Sequence, residues 1–152
     1  MNKKVVFNKF IYAIDAMLGL IVILSMFFDV FRTGTEVTDA AGNVTMVYEW
    51  MNFFEFCNFG VSGISGVFMY APMVLVVICI LALIYLICIK GLKPFDNAIV
   101  CLMFIAVIIM AIMQSFGYSY PFMIISYVVA VLLLVSILPM FMLDKLPDEP
   151  KK

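Results

Sequence analysis

Histidine is absent from this 152-residue chain, which removes the commonest general base and the commonest metal ligand. Charge is scarce: Asp, Glu, Lys and Arg together make up 12% of the residues, about half the share in an ordinary globular domain. The four cysteines, Cys57, Cys79, Cys88 and Cys101, form no C-x-x-C pair. The last three fall inside apolar stretches, where a cysteine behaves as a small hydrophobe. A disulfide within an outer loop needs two cysteines there, so Cys57 is left as a candidate only for intermolecular pairing. No carboxylates cluster at metal-ligand spacing. A net charge of −1 supplies no basic patch for nucleic acid. These gaps speak against an enzyme, a metal, a cofactor and a nucleic-acid partner.

What the chain does contain is apolar surface. Hydrophobic residues make up 66% of it, more than a water-soluble chain of this size can hide but ordinary where lipid is the solvent. A length of 152 residues fits one domain. Four stretches have the length needed to cross a ~30 Å hydrocarbon core: residues 10–31, 70–89, 98–114 and 121–143. Basic residues sort by side around them. Lys3, Lys4 and Lys9 precede the first stretch, Lys90 and Lys93 lie between the second and third, and Lys145, Lys151 and Lys152 follow the fourth. Only Arg32 falls in the other loops. Since cytoplasmic loops retain lysine and arginine, the pattern predicts an all-α integral membrane protein. Its four helices would form an antiparallel bundle with both termini, 1–9 and 144–152, in the cytoplasm. Tyr48, Trp50, Tyr70, Tyr118 and Tyr120 fall at the outer boundary and Tyr12 at the inner one, as an aromatic belt would. No organelle signal is visible, which favours a bacterial plasma membrane.

The connections differ in character. Residues 90–97 form a cytoplasmic turn in which Gly91 ends one helix and Pro94 blocks its continuation, with Asp96 or Asn97 as the cap of the next. Residues 115–120 form a short outer turn. Pro72 is expected in the first turn of the second span, and Pro139 as a kink near the end of the fourth.

The outer loop, 32–69, is the long one. Asp39 to Asn43 reads as a hairpin tip between β-prone runs. Asn43-Val44-Thr45 is a glycosylation triplet, relevant only in a eukaryotic host. Over 48–59, Glu49, Asn52, Glu55 and Asn58 recur every three residues, opposite Trp50, Phe53, Phe54 and Cys57. That spacing predicts an amphipathic helix on the outer membrane surface. Trp50, Phe53, Phe54, Phe56 and Phe59 would then make an apolar docking patch. Gly60, Ser62, Gly63, Ser65 and Gly66 follow. They suit a flexible re-entry into the second span, a close helix contact or, less readily, a re-entrant segment lining a cavity.

Inside the spans, the ionisable residue that stands out is Asp15. At 100° per residue, Asp15, Gly19, Val22, Met26 and Asp29 fall within about 40° of one line. A carboxylate in a span faces the bundle and seeks a partner, so this face could handle protons or cations. Equally, Asp15 could be solvated at the inner interface or pair with Lys90 or Lys93, and Asp29 could pair with Arg32 at i+3. Span serines usually bond their own backbone. The thirteen methionines suit adaptable packing.

Four spans with a long first outer loop, a short inner turn and a short second outer loop resemble the layout of claudin-like proteins. That family carries a tryptophan followed by two cysteines in its first outer loop. Here Trp50 is followed only by Cys57, so the resemblance is one of topology and implies no loop disulfide. The expectation for function is a non-enzymatic interaction or accessory subunit, or a homo-oligomeric assembly unit. Its partners would be the lipid bilayer and either itself or another membrane protein. A homo-oligomeric channel or transporter using Asp15 and the segment from Gly60 to Gly66 is the second reading, and a holin- or toxin-like effector that perturbs the membrane is the third.

Overall fold

The computed structural model describes residues 3–28, 31–55, 64–89, 94–116 and 120–144. The chain is mostly helical. Four helices, α1 (Lys3–Ser25), α2 (Ile64–Cys88), α3 (Ala98–Phe116) and α4 (Tyr120–Asp144), are joined by a two-stranded antiparallel hairpin, β1 (Phe31–Thr38) and β2 (Val44–Met51), and by a 3-10 turn at Pro94–Asn97. The hairpin qualifies the all-α expectation. Three helical segments, Lys4–Ser25, Tyr70–Cys88 and Ile124–Met142, are long and apolar enough to cross a membrane, while α3 carries a shorter apolar stretch, Ala98–Met113. Only 28% of Tyr70–Cys88 and of Ile124–Met142 is buried within the protein. A helix apolar all round, with most of that surface facing outward, needs lipid as its surroundings.

Helix limits differ from the sequence reading mainly in α1 and α2. The first helix starts at Lys3 and ends at Ser25, so Phe31 belongs to a strand and not to the span. Its last turn tightens. Met26, Phe27 and Phe28 donate their N–H groups to the carbonyls of Ile23, Leu24 and Ser25 at 3.2–3.3 Å, an i−3 pattern that closes a helix end. Phe27 and Phe28 are apolar, so hydropathy could not mark this stop. The second helix already includes Ser65 and Gly66, while the rest of the glycine–serine segment, 60–63, lies outside the described residues. Pro72 consequently lies inside α2 and not in its first turn, leaving the carbonyl one turn earlier without a backbone donor. Pro139 is likewise inside α4.

The helices pack in chain order, α1 on α2, α2 on α3 and α3 on α4, with a smaller contact between α1 and α4. The core between them is methionine-rich: Met26, Met103, Met110 and Met140 are fully or almost fully buried beside Val22, Val76, Leu83 and Leu133. Flexible thioethers fill irregular gaps between helices. Gly19 allows the tightest approach. A Cβ there would meet Ile80 Cγ1 on α2 and Met103 Sδ on α3, each at 3.0 Å.

The tip of the hairpin falls at Asp39–Asn43. Gly42 N–H donates to Asp39 O at 3.0 Å, Asp39 N–H donates to Asn43 O at 2.9 Å, and Gly42 takes φ +85°. This is a type I turn followed by a left-handed glycine, a standard three-residue hairpin loop.

Candidate functional site

Polar groups gather at the end of the helices where α1 begins, α2 finishes and α3 starts. The Lys9 ammonium donates to Ile87 O at 2.7 Å and also to Ile89 O. These carbonyls close α2, where the last turn lacks backbone donors and carries partial negative charge. A cation from another helix therefore caps α2. One turn along α1, Tyr12 is fully buried and donates its hydroxyl to Asn97 Oδ1 at 2.6 Å. Tyr12 is thus a core residue and not the boundary aromatic that its position suggested.

Asn8, Tyr12, Asp15, Gly19, Val22 and Met26 succeed one another at alternating steps of four and three, and all are buried. They form one stripe of α1 turned to its neighbours. Asp15 sits near the middle of α1 with no exposed surface. Neither of its carboxylate oxygens has a hydrogen-bond partner among the described residues. The Ser136 hydroxyl of α4 bears on it, but that hydroxyl donates to Leu133 O at 2.8 Å. Solvation at an interface therefore does not account for Asp15. Lys90 and Lys93, the other expected partners, lie outside the described residues, as does Asp29. Asn8 Oδ1 and Ser126 Oγ are also buried without a partner among the described residues. Ser25 follows the commoner habit, donating to Val22 O at 2.7 Å.

At the hairpin end the sequence reading needs correction. Tyr48 to Met51 are strand, not helix. The helical turn begins only after Asn52, whose Oδ1 accepts from Glu55 N–H at 3.0 Å while Glu55 Oε2 accepts from Asn52 N–H at 3.1 Å. The three-residue spacing of Asn52 and Glu55 is thus a capping box, not one face of a surface helix. Phe53 is buried, and its N–H donates to Met26 O at 3.2 Å. Phe53, Phe54, Phe27 and Tyr70 form an aromatic cluster with ring centroids 5.1–6.3 Å apart. Phe53 and Phe54 therefore hold the hairpin's base to α1 and α2 and are not offered for docking. Phe56, Phe59, Gly60, Ser62 and Gly63 lie outside the described residues.

Among the described members of the expected patch, Trp50 is the one most exposed, and its companions are new. Strand alternation places Val44, Met46, Tyr48 and Trp50 on one face of β2, exposed at 60%, 50%, 49% and 59%. Opposite them on β1, Gly34 leaves room for the Met46 and Tyr48 side chains to lean across, since a Cβ there would meet both at 3.1 Å. The other face carries Thr35, Val37, Thr45, Val47 and Glu49. The period-two alternation was present in the sequence, and the three-residue polar spacing beginning at Glu49 obscured it. The Tyr12–Asn97 pair had no local signal, because its members are 85 residues apart.

Among the described residues, no three His, Cys, Asp or Glu side chains come together as a metal site. Compared with protein families, curated proteins and solved structures, the chain matches none.

Proposed function

We propose that this chain is a four-span membrane protein that works by contact with other proteins and not by catalysis, as an accessory subunit or as the unit of a homo-oligomer. The observation that carries the reading is the row of exposed apolar side chains along β2, Val44, Met46, Tyr48 and Trp50, on a face of the hairpin that they share with Glu36 and Thr38. A two-stranded hairpin is marginal alone in water, and among the described residues no third strand covers either of its edges. Tyrosine and tryptophan are the residue types that supply contact energy at protein interfaces. In this arrangement α3 is the fourth span and the four helices form an antiparallel bundle. The lysine-bearing ends face the cytoplasm of a bacterial cell, and the hairpin stands outside. The lysine distribution supports that orientation.

The test is native mass spectrometry of the full chain, extracted in mild detergent from its host membrane, beside a Met46→Ser/Tyr48→Ser/Trp50→Ser variant. A stoichiometric second protein or a closed homo-oligomer in the wild type, lost in a variant that still folds and inserts, is the expected result. A monomeric wild type, or an assembly indifferent to the three substitutions, would overturn it.

The unpartnered Asp15 favours a second reading, a small channel or transporter assembled from several copies. Under that reading Asp15→Asn abolishes ion flux in reconstituted vesicles while assembly survives.

A further inference from the structure

We propose that Asp15 is the binding site of an exchangeable proton, reached from the lysine-bearing end of the helices along the buried polar groups Asn8, Tyr12 and Asn97. The inference does not rest on the hairpin contact surface. A carboxylate stripped of water and given no donor is strongly unfavourable, so a cation must accompany it. Asp15 is in that position, wholly buried with both oxygens unpartnered among the described residues.

Among the described residues, the surrounding side chains do not supply the cation. On α1, the Lys9 ammonium is bound to the Ile87 and Ile89 carbonyls, and the Tyr12 hydroxyl is donated to Asn97. The elements packed around α1 contribute Cys79 and the exposed Tyr85 on α2, Asp96 in the 3-10 turn, Cys101 on α3 and the exposed Tyr127 on α4. None of these is a cation. The Ser136 hydroxyl, which donates to Leu133 O, can turn its one proton toward Asp15 but brings no charge. A metal ion would need about six oxygen ligands, and two carboxylate oxygens with one hydroxyl fall well short. A proton needs a single lone pair.

The route is laid out on one stripe of α1. Asn8 stands seven residues before Asp15, about 10 Å along the axis, with its buried Oδ1 unpartnered among the described residues. The Tyr12–Asn97 hydrogen bond lies between them. Polar groups thus follow one another from the helix end to the carboxylate through a core that is otherwise apolar.

Infrared difference spectroscopy of the protein in lipid vesicles tests this as the pH is stepped from about 3 to about 9, a range that brackets the ordinary carboxylate value of about 4. The expected result is a carbonyl band of a neutral carboxyl that fades as the pH rises, shifts on transfer to heavy water and is missing from Asp15→Asn. In Tyr12→Phe the heavy-water shift slows several-fold. A hydrophobic carbodiimide, which couples to carboxyls that carry a proton, labels Asp15 equally in the wild type and in a Lys90→Gln/Lys93→Gln variant. Absence of both band and adduct across the pH range would overturn the proposal. So would an adduct that forms only in the Lys90→Gln/Lys93→Gln variant, since the carboxylate would then be ion-paired. The carbodiimide adduct is mapped on wild-type protein and decides the matter even if Asp15→Asn does not fold.

Discussion

Asp39 closes the hairpin through one side chain. Its Oδ1 accepts from the N–H groups of Ala41 and Asn43, each at 2.8 Å, and its Oδ2 accepts from Asn43 Nδ2 at 3.0 Å. The backbone amide of Asn43, then its side chain, hold the carboxyl below the usual carboxylate range, because donors aimed at the ionised form stabilise it. A lowered value means that the contribution is complete above the ordinary aspartate pKa of about 4 and drains away as pH falls through the folded value. The side chain is exposed, so the effect stays local and is screened by salt. Protection of the Ala41 and Asn43 amides, relative to their intrinsic exchange rates, is expected to fall below about pH 4, and at neutral pH in Asp39→Ala, with the helices unaffected. Protection that persists in Asp39→Ala would show that the turn is held by its backbone alone. The tip itself was legible in the sequence, because aspartate, asparagine and glycine each have a distinct role in such a turn.

At the scale of the elements, the stripe on α1 was legible and its packing was not. A 3.6-residue period identifies Asp15, Gly19, Val22 and Met26 as neighbours, but it cannot say that Ile80 and Met103 press against Gly19. That contact sets an expectation. Gly19→Leu should lower stability by about 2–3 kcal/mol through overpacking. Gly19→Ala should lower it far less, because the contacted atoms belong to flexible side chains and alanine regains about 1 kcal/mol of helix propensity. Unfolding of the purified protein in mixed micelles measures both. Equal losses for the two variants would mean that backbone, and not side-chain volume, limits the approach. Hydropathy placed the apolar middles of the helices well and their ends poorly. The end of α1 is set by i−3 hydrogen bonds among residues as apolar as the helix itself, and the start of the turn after β2 by a side-chain capping box. Neither leaves a mark on a hydropathy profile. The period of three from Glu49 to Asn58 suggested a surface helix because half of it, Asn52 and Glu55, is helical signal of another kind.

At the scale of the whole molecule, three helices long and apolar enough to span follow directly from composition. What joins them comes from pairs far apart in the chain, Lys9 with Ile87 and Tyr12 with Asn97, separated by 78 and 85 residues. No local pattern records such pairings.

These distant partners bear on how the chain is made. Of the four described helices, α1 is made before the others, and its buried stripe carries the polar groups Asn8, Tyr12 and Asp15. The residues that cover them are synthesised later. A newborn α1 is therefore an incomplete anchor: its lysine still seeks water, and its carboxylate still faces lipid or the translocation machinery. It becomes settled only when α2 brings the Ile87 and Ile89 carbonyls and the turn before α3 brings Asn97. A chain truncated after Met51 is expected to be largely released from membranes by alkaline extraction, and one truncated after Phe116 to be largely retained. Firm retention of the shorter chain would show that α1 is already secure alone. Membrane integration of this protein is, on this account, a late event in its synthesis, confirmed from behind by the segments that follow.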